Sequence, residues 1–227
     1  MRILAVIPAF NEEACLANTV HSLTTCCPDV EYLVVNDGSS DNTRHIIKEH
    51  NLYGANLPIN TGLTSAFRLG MKYAKLHGYD AVVQFDADGQ HLPQYIPVMA
   101  DALSSKQADI VIASRYLDGT EKPRGARGAG SRLITLFIKI TTGATVTDPT
   151  SGMRMYSKRM IELFASSFDC APEPDVLALV ARKYGSVIEI PATMQERQGG
   201  ESYLNLLNAL KYMARTCLSI VMMRFLK

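Results

Sequence analysis

Two acidic residues stand one residue apart at the end of a short, mostly apolar run. Asp86 and Asp88 follow residues 81–85 and precede Gly89. Such a run predicts a buried strand whose carboxyl end opens into a loop. Neighbouring carboxylates repel each other, and a bound cation or polar ligand would offset that repulsion. A solvated Asp-x-Asp-Gly turn explains this segment equally well on its own.

The rest of the chain alternates between segments of strand and helix character. Strands are predicted at 2–7, 31–35, 55–58, 81–85, 109–113 and 187–190. Helices are predicted at 11–26, 43–50, 62–77, from Pro93 onward and at 176–184. In the first helix, Asn11 is the expected N-cap, with Glu12 and Glu13 in the first turn. The Gly-rich, basic stretch 119–130 is expected to be a mobile loop. This alternation predicts a mostly parallel, doubly wound α/β sheet.

Three of the predicted strands end in polar clusters. The clusters occupy residues 8–13, 36–39 and 86–90. In a parallel sheet the carboxyl ends of the strands share one edge, where open α/β sheets bind ligands. The three clusters should therefore converge on one crevice, which the isolated-turn interpretation of 86–90 does not explain.

Composition limits the classes of function. In 227 residues, 23 Lys and Arg balance 22 Asp and Glu, for a net charge of +1, which argues against a nucleic-acid-binding protein that works by bulk charge. The five cysteines form no zinc-binding spacing. An odd cysteine count without a signal peptide indicates reduced thiols and a cytoplasmic protein. No segment has the uninterrupted apolar length of a membrane span.

Seven motifs, in order along the chain, resemble those of the family 2 glycosyltransferases of the GT-A fold. Within that family the resemblance is to the polyprenyl-phosphate sugar transferases, which act on dolichyl or undecaprenyl phosphate. It runs from Ile3 to about Ser202, and each motif is weak alone but the ordered set is specific. The motifs occupy residues 7–13, 35–43, 60–66, 86–91, 114–116, 148–154 and 197–202.

The resemblance implies a nucleotide-diphosphate sugar as donor, with Pro8, Glu12 and Asp37 at the nucleoside. A carboxylate accepts hydrogen bonds from base N–H groups or ribose hydroxyls. For Glu12, a first-turn residue that answers the helix dipole is an equally good interpretation. For Asp37 an Asx-turn is the alternative, although its place at a strand end favours a functional role.

The resemblance also implies a divalent cation at the acidic pair. It makes Asp88 the direct metal ligand and Gln90 a further ligand, with Asp86 on the nucleoside side or bound to the metal through water. A few oxygen ligands plus substrate phosphates suit Mg²⁺ or Mn²⁺, whereas zinc would require His or Cys. His91 is left out of the metal set as a loop residue or neighbour of the ligands.

The acceptor is inferred from charge. A sugar hydroxyl needs a general base, commonly a Glu-Asp pair in this superfamily, whereas a polyprenyl phosphate is already an anion. This chain has Glu173-Pro174-Asp175 instead of an adjacent pair, and Asp175 is also a plausible N-cap of the 176–184 helix. The sequence contains no Trp, so the Gln-x-x-Arg-Trp signature of processive polysaccharide synthases is absent.

Arginines supply the positive charge that a phosphate needs. By resemblance, Arg115 and Arg132 serve the donor diphosphate or the acceptor phosphate, and Arg197 lies on a late loop that closes over them; with Asp88 they form the predicted catalytic set. Arg124 and Arg127 are left unassigned, because a single arginine more often has a solvated surface role than a functional one. Asp148, in a motif that also reads as an Asp-Pro turn, is expected to line the site.

The C-terminal segment predicts an amphipathic helix. Residues 1–202 are interpreted as the catalytic domain and 203–227 as this helix, with apolar residues on a broad face and dispersed Lys and Arg. It either packs on the domain or lies on an anionic membrane surface. Because the sequence has no further apolar segment, peripheral attachment at the inner face of the membrane is expected rather than insertion.

Together these residues predict a metal-dependent, inverting glycosyltransferase whose acceptor is polyprenyl phosphate. One alternative is transfer to a hydroxyl of a glycan or cell-wall acceptor, with Glu173 or Asp175 as base. Another is a nucleotide-sugar-binding protein without turnover. The donor base, the sugar and the oligomeric state are not determined by these motifs.

Overall fold

The computed structural model describes residues 1–119, 125–166, 171–196 and 206–223. Seven strands form one sheet: β1 Ile3–Ala9, β2 Glu31–Asp37, β3 Gly54–Leu57, β4 Ala81–Gln84, β5 Ile110–Ser114, β6 Arg154–Ser157 and β7 Val187–Pro191. The helices are α1 Leu16–Cys26, α2 Thr43–Glu49, α3 Leu63–Leu76, α4 Tyr95–Ser105, α5 Gly125–Thr142, α6 Lys158–Ser166, α7 Pro174–Leu179 and α8 Leu206–Met223. A π-helical turn, Val180–Tyr184, continues α7.

The sheet has the order β3-β2-β1-β4-β6-β5-β7. Every neighbouring pair is parallel except the two pairs that β6 makes, with β4 and with β5. Side chains alternate along each strand, so β1 sends Leu4 and Val6 into one core and Ala5 and Ile7 into the other. Helices cover both faces, which explains why the central strands are apolar throughout. The predicted doubly wound α/β architecture is confirmed.

The predicted start of the first helix is wrong. The helix α1 begins at Leu16 rather than at residue 11, so neither Glu12 nor Glu13 lies in its first turn. Asn11 does not cap it; Asn11 has a φ of 57°, and its Oδ1 accepts the backbone N–H of Ser40 at 2.9 Å. Hydrogen bonds to the loop between β2 and α2 thus hold the segment before α1 outside the helix.

The prediction of a loop at 119–130 is wrong for its second half, because α5 begins at Gly125. Glycine is a poor helix former, but here its small size allows helices to approach closely. A β-carbon on Gly130 would overlap the side chain of Met213 on α8. The Gly-rich composition of residues 125–130 is therefore compatible with a helix that packs against α8.

Besides α5, two elements were not predicted. The strand β6 and the helix α6 follow each other without a loop, at Ser157 and Lys158, so no turn residue separates them.

Asp175 also has a different place from the one predicted: the N-cap of α7 is Glu173, and Asp175 lies within the first turn. The predicted C-terminal helix is present as α8, and it packs against α5 and α7.

The helix α3, which borders the strand ends, is fitted to β1 through Gly70. A β-carbon there would overlap the buried side chain of Val6, which as a β-branched residue cannot rotate away easily. Alanine would gain about 1 kcal/mol of helix propensity but would overpack the core at a cost of roughly 1–3 kcal/mol.

We expect Gly70→Ala to lower the free energy of unfolding by up to about 2 kcal/mol, measured by urea denaturation. In a Val6→Ala background the clash is absent, so the same change should be neutral or stabilising. Stabilisation by Gly70→Ala in both backgrounds would show that the close approach does not limit packing.

Candidate active site

A cavity of about 430 Å³ lies at the carboxyl ends of β1, β2 and β4. We call it the strand-end cavity. The three polar clusters meet there, as the parallel pairing of these strands requires. Its wall is formed by Pro8, Ala9, Phe10, Glu12, Asp37, Asn60, Gly62, Leu63, Ala66, Asp86, Ala87 and Asp88. It therefore includes all three predicted nucleoside-binding residues and both aspartates of the acidic pair.

Asp37 joins the end of β2 to the loop before α3. Its Oδ1 accepts the backbone N–H and the hydroxyl of Thr61, both at 2.9 Å, and its Oδ2 accepts the N–H of Gly62 at 2.7 Å. The local turn belongs to Asn36 instead, whose Oδ1 accepts from the N–H and the hydroxyl of Ser39. The Asx-turn interpretation of Asp37 is thus wrong, and the carboxylate builds the wall of the strand-end cavity.

Glu12 lies in the turn between β1 and α1. Its backbone N–H donates to Thr43 Oγ1 at 2.9 Å, and its carbonyl accepts the N–H groups of Cys15 and Leu16. The side chain is buried and faces the strand-end cavity. Because Glu12 precedes the helix, the helix-dipole interpretation of this residue is wrong.

Asp86 is held by a histidine and a glutamine. Its backbone N–H donates to His91 Nδ1 at 2.9 Å, and Gln84 Nε2 donates to Asp86 Oδ1 at 3.1 Å. The first bond places the proton of the neutral imidazole on Nε2, which lies 3.5 Å from Asp86 Oδ2. His91 is almost fully buried. Its geometry makes it a support for Asp86 and agrees with leaving it out of the metal set.

Asp88, which lines the cavity, and Gln90 share a tight turn. The N–H of Gln90 donates to Asp88 Oδ1 at 3.1 Å. The Gln90 side chain donates to the carbonyl of Gln195 at 3.3 Å, and the N–H of Gln195 donates back to the carbonyl of Gln90. The part of the cavity wall that the structure describes does not include Gln90, so its role as a metal ligand stays a prediction.

The acidic pair has the donor chemistry of a magnesium or manganese site. Within the described ranges, no group of three or more His, Cys, Asp and Glu is arranged to hold a metal alone. Asp86 and Asp88 both line the strand-end cavity, and their side chains offer carboxylate oxygens. Mg²⁺ typically takes one or two carboxylates and completes its shell with water and substrate phosphates. The residues present therefore fit such a cation if a diphosphate contributes the remaining ligands.

Arg115, at the end of β5, forms a bidentate ion pair with Asp148. Its Nε donates to Asp148 Oδ2 at 2.7 Å, and Nη2 donates to Oδ1 at 2.8 Å. Asp148 is fully buried, and it also accepts the backbone N–H of Arg115 and the hydroxyl of Thr150. Two motifs that are 33 residues apart are thus joined directly. The motif around Asp148 predicts only that this residue lines the site, and not that it pairs with Arg115.

The loop that carries Asp148 reaches the acidic pair. We call residues 148–153 the 148–153 loop. A β-carbon on Gly152 would lie 2.7 Å from Asp86 Oδ2 and 3.4 Å from two atoms of the His91 ring. Glycine is therefore required for this approach. The loop thus approaches Asp86 through Gly152 and pairs with Arg115 through Asp148, whereas Arg115 itself is not in the described wall of the strand-end cavity.

The other predicted arginines are placed less completely. Arg132 is exposed on α5 and is not in the described wall of the strand-end cavity. Arg197 and Arg124 lie outside the described residues, as does the side chain of Arg127. The roles of Arg132 and Arg197 in phosphate binding stay predictions.

The two carboxylates considered as general bases both contact α8. Tyr212 donates its hydroxyl to Glu173 Oε2, and Ser219 donates to Asp175 Oδ2 at 2.6 Å. Burial, and then the nearby Glu173 carboxylate, raise the pKa of Tyr212, so the tyrosine remains a proton donor. Glu173 and Asp175 are thus engaged in holding α8 against α7.

A doubly wound sheet with a ligand-sized cavity at its carboxyl edge is typical of nucleotide-binding enzymes. The chain belongs to Glycosyl transferase family 2, which it matches over residues 4–164. It is 32% identical to an undecaprenyl-phosphate mannosyltransferase of Micrococcus luteus over 90% of this chain and 88% of the relative. It is 30% identical to the polyprenol monophosphomannose synthase of Mycolicibacterium smegmatis, over 90% of this chain and 81% of the relative.

Solved structures with the same fold include glucosyl-3-phosphoglycerate synthase from Mycobacterium tuberculosis. Its complex with phosphoglyceric acid superposes with a TM-score of 0.71, at 20% sequence identity, over 98% of this chain and 79% of that chain. A complex of the same enzyme with Mn²⁺, uridine-diphosphate and glucosyl-3-phosphoglycerate gives a TM-score of 0.70. The predicted GT-A fold and family 2 glycosyltransferase identity are confirmed.

We expect Gly152→Ala to lower the rate of sugar transfer roughly 100-fold, because the added methyl group displaces the Asp86 carboxylate. The matched control is Gly143→Ala, at a φ of 77° in open space; it should cost stability but not activity. Steady-state kinetics and thermal unfolding of both variants test this. Equal activity of the two variants would contradict a role for the Gly152–Asp86 contact.

Proposed function

We propose that this glycosyltransferase moves a sugar from a nucleotide-diphosphate donor to polyprenyl phosphate. The observation that carries the proposal is the similarity, over 90% of the chain, to two enzymes named for transfer of mannose to such lipids. Their names support mannose as the sugar. The acceptor phosphate oxygen would form the new bond to the anomeric carbon from the face opposite the diphosphate, which leaves as the nucleoside diphosphate and inverts the configuration.

The hydrogen bonds of Glu173 and Asp175 favour a phosphate acceptor over a hydroxyl. A hydroxyl acceptor requires a carboxylate that can take up its proton. Both of these carboxylates instead accept hydrogen bonds from α8, from Tyr212 and Ser219. A phosphate is an anion at neutral pH and requires no base. It requires a cation such as Arg115 to position it.

On the donor side, we assign the nucleoside to Pro8, Glu12 and Asp37, which share one wall of the strand-end cavity. Asp88 would hold a Mg²⁺ or Mn²⁺ ion, with Asp86 bound directly or through water, and with Gln90. When bound, the cation neutralises charge on the diphosphate as the glycosidic bond breaks. Arg115, Arg132 and Arg197 would orient the donor and acceptor phosphates.

An assay with radiolabelled donors tests the proposal. The purified chain is incubated with GDP-mannose or UDP-glucose, Mg²⁺ or Mn²⁺, and undecaprenyl phosphate, and products are separated by lipid extraction. Labelled lipid is the expected result. Label in an added glycan instead would support transfer to a hydroxyl, and saturable donor binding without transfer would support a binding protein.

Asp88→Ala should reduce transfer at least about 100-fold, since it removes the direct carboxylate ligand of the proposed cation. Asp101→Ala, which removes an exposed carboxylate on α4, is the matched control and should keep full activity. EDTA should inactivate the wild-type chain, with recovery on adding Mg²⁺ or Mn²⁺. If Asp88→Ala retains most of its activity, the metal role is refuted.

We further propose that α5 and α8 make a peripheral membrane contact. In the ranges that the structure describes, no helix has the length and apolarity needed to span a bilayer. Both helices nevertheless expose large apolar side chains, with Lys139, Lys211 and Arg215 also at the surface. We give the name α5–α8 apolar face to the exposed apolar residues of the two helices: Leu133, Leu136 and Ile140 on α5, and Leu218 and Met222 on α8. Apolar side chains beside basic ones suit an anionic lipid surface.

A double substitution, Leu136→Glu with Leu218→Glu, should weaken sedimentation with anionic phospholipid vesicles at least about tenfold, because it places two charges in the apolar contact. Leu76→Glu, at a residue 80% exposed on α3, is the control and should leave vesicle binding unchanged. Unchanged binding by the double variant would exclude this face as the contact.

A further inference from the structure

A carboxylate on β7 supports the loop that carries Asp148. Glu189 Oε2 accepts the backbone N–H of Thr147 at 2.7 Å, and Oε1 accepts the N–H of Asp148 at 2.9 Å. One carboxylate thus binds two successive peptide groups at the entrance to the 148–153 loop. Charge-assisted hydrogen bonds of this kind are stronger than those between neutral groups.

The next link is from the backbone of Asp148 to its own side chain. The peptide that Glu189 binds carries the carboxylate that holds Arg115 by its Nε, its Nη2 and its backbone N–H. Because Asp148 is fully buried, its side chain has little freedom to compensate for a shift of its backbone. A change at Glu189 is therefore transmitted to the guanidinium of Arg115.

The pairing of β5 with β7 places Glu189 near the end of β5, which Arg115 follows. In the parallel pair of β5 and β7, Glu189 is in register with Ile112, three residues before Arg115. A further bond ties the end of β5 to the residue before the 148–153 loop, between the hydroxyls of Ser114 and Thr147 at 2.9 Å. The arginine and the carboxylate that supports its partner thus lie on adjacent strands of one rigid sheet.

We propose that Glu189 is a positioning residue, which fixes the orientation of the Arg115 guanidinium through the 147–148 backbone and Asp148. The proposal deepens the proposed function, on which the phosphate-binding role of Arg115 rests. Glu189 itself contacts neither substrate. A glutamine at this position would present an NH₂ group to one of the two backbone N–H groups. That hydrogen bond would be lost, and two hydrogen-bond donors would face each other.

A double-mutant cycle in kinetics tests the coupling. Glu189→Gln should lower kcat/KM for the acceptor about tenfold, as expected when the partner of a functional side chain is lost. In an Arg115→Lys background, where the bidentate pair is already broken, the same change should cost less than about twofold. Glu189→Asp, which keeps the charge on a shorter side chain, should give an intermediate loss. Equal losses from Glu189→Gln in both backgrounds would overturn the proposal.

The matched control is Glu162→Gln, which removes one carboxylate from a surface pair with Lys75 on a helix remote from Arg115. It should leave kcat/KM unchanged. Thermal unfolding of all variants separates loss of orientation from loss of fold. If Glu189→Gln does not fold, the cycle is run with Glu189→Asp, for which additivity with Arg115→Lys would likewise overturn the proposal.

A readout independent of transfer is the NMR signal of the Arg115 Nε–H group, assigned by its loss in Arg115→Lys. A bond to a buried carboxylate should slow its exchange with water in the wild-type chain. Glu189→Gln should shift this signal and speed its exchange, whereas Glu162→Gln should not. An unchanged signal would overturn the positioning role even if the chain proved to use another acceptor, and a shifted signal without lipid product would count against the proposed function alone.

Discussion

The buried carboxylate of Asp148 is the constraint around which the site is organised. A carboxylate without access to water must be paired and hydrogen-bonded, and removing one partner of such a pair typically costs about 3–5 kcal/mol. Arg115 and Thr150 supply its partners. This requirement fixes the 148–153 loop, and the loop in turn sets Gly152 against Asp86. The acidic pair and the arginine are thereby held in one rigid arrangement, although they belong to different strands.

Sequence reasoning predicted the fold and the location of the site because both follow from local patterns. Short apolar runs identified six of the seven strands, three of which end in polar clusters, and parallel pairing required those three ends to meet. The strand-end cavity accordingly contains Pro8, Glu12, Asp37, Asp86 and Asp88. Such patterns can be read from residues that are adjacent in the sequence, and they indicate which segments are buried and where each strand ends.

What was missed depends on contacts between distant segments. The start of α1 is displaced because Asn11 and Glu13 bond to residues of the β2–α2 loop rather than to their own helix. Residues 125–130 are helical although glycine has a low helix propensity. Close packing against α8, at Gly130, accounts for the helix. The pairing of Asp148 with Arg115 and the bonds of Glu173 and Asp175 to α8 were likewise invisible, because no spacing rule relates residues so far apart.

The charge of the strand-end cavity constrains how a donor can bind. Its described wall carries four carboxylates, those of Glu12, Asp37, Asp86 and Asp88, and neither lysine nor arginine. The groups of Thr61 and Gly62 that donate hydrogen bonds to Asp37 are neutral and add no positive charge to the cavity. A nucleoside diphosphate is itself an anion, so under the proposed function a cation between its phosphates and the acidic pair would offset their repulsion. On the same proposal, a metal ion would supply the positive charge that the acidic cavity lacks, whereas Arg115 is a cation that the chain itself holds in place for a phosphate.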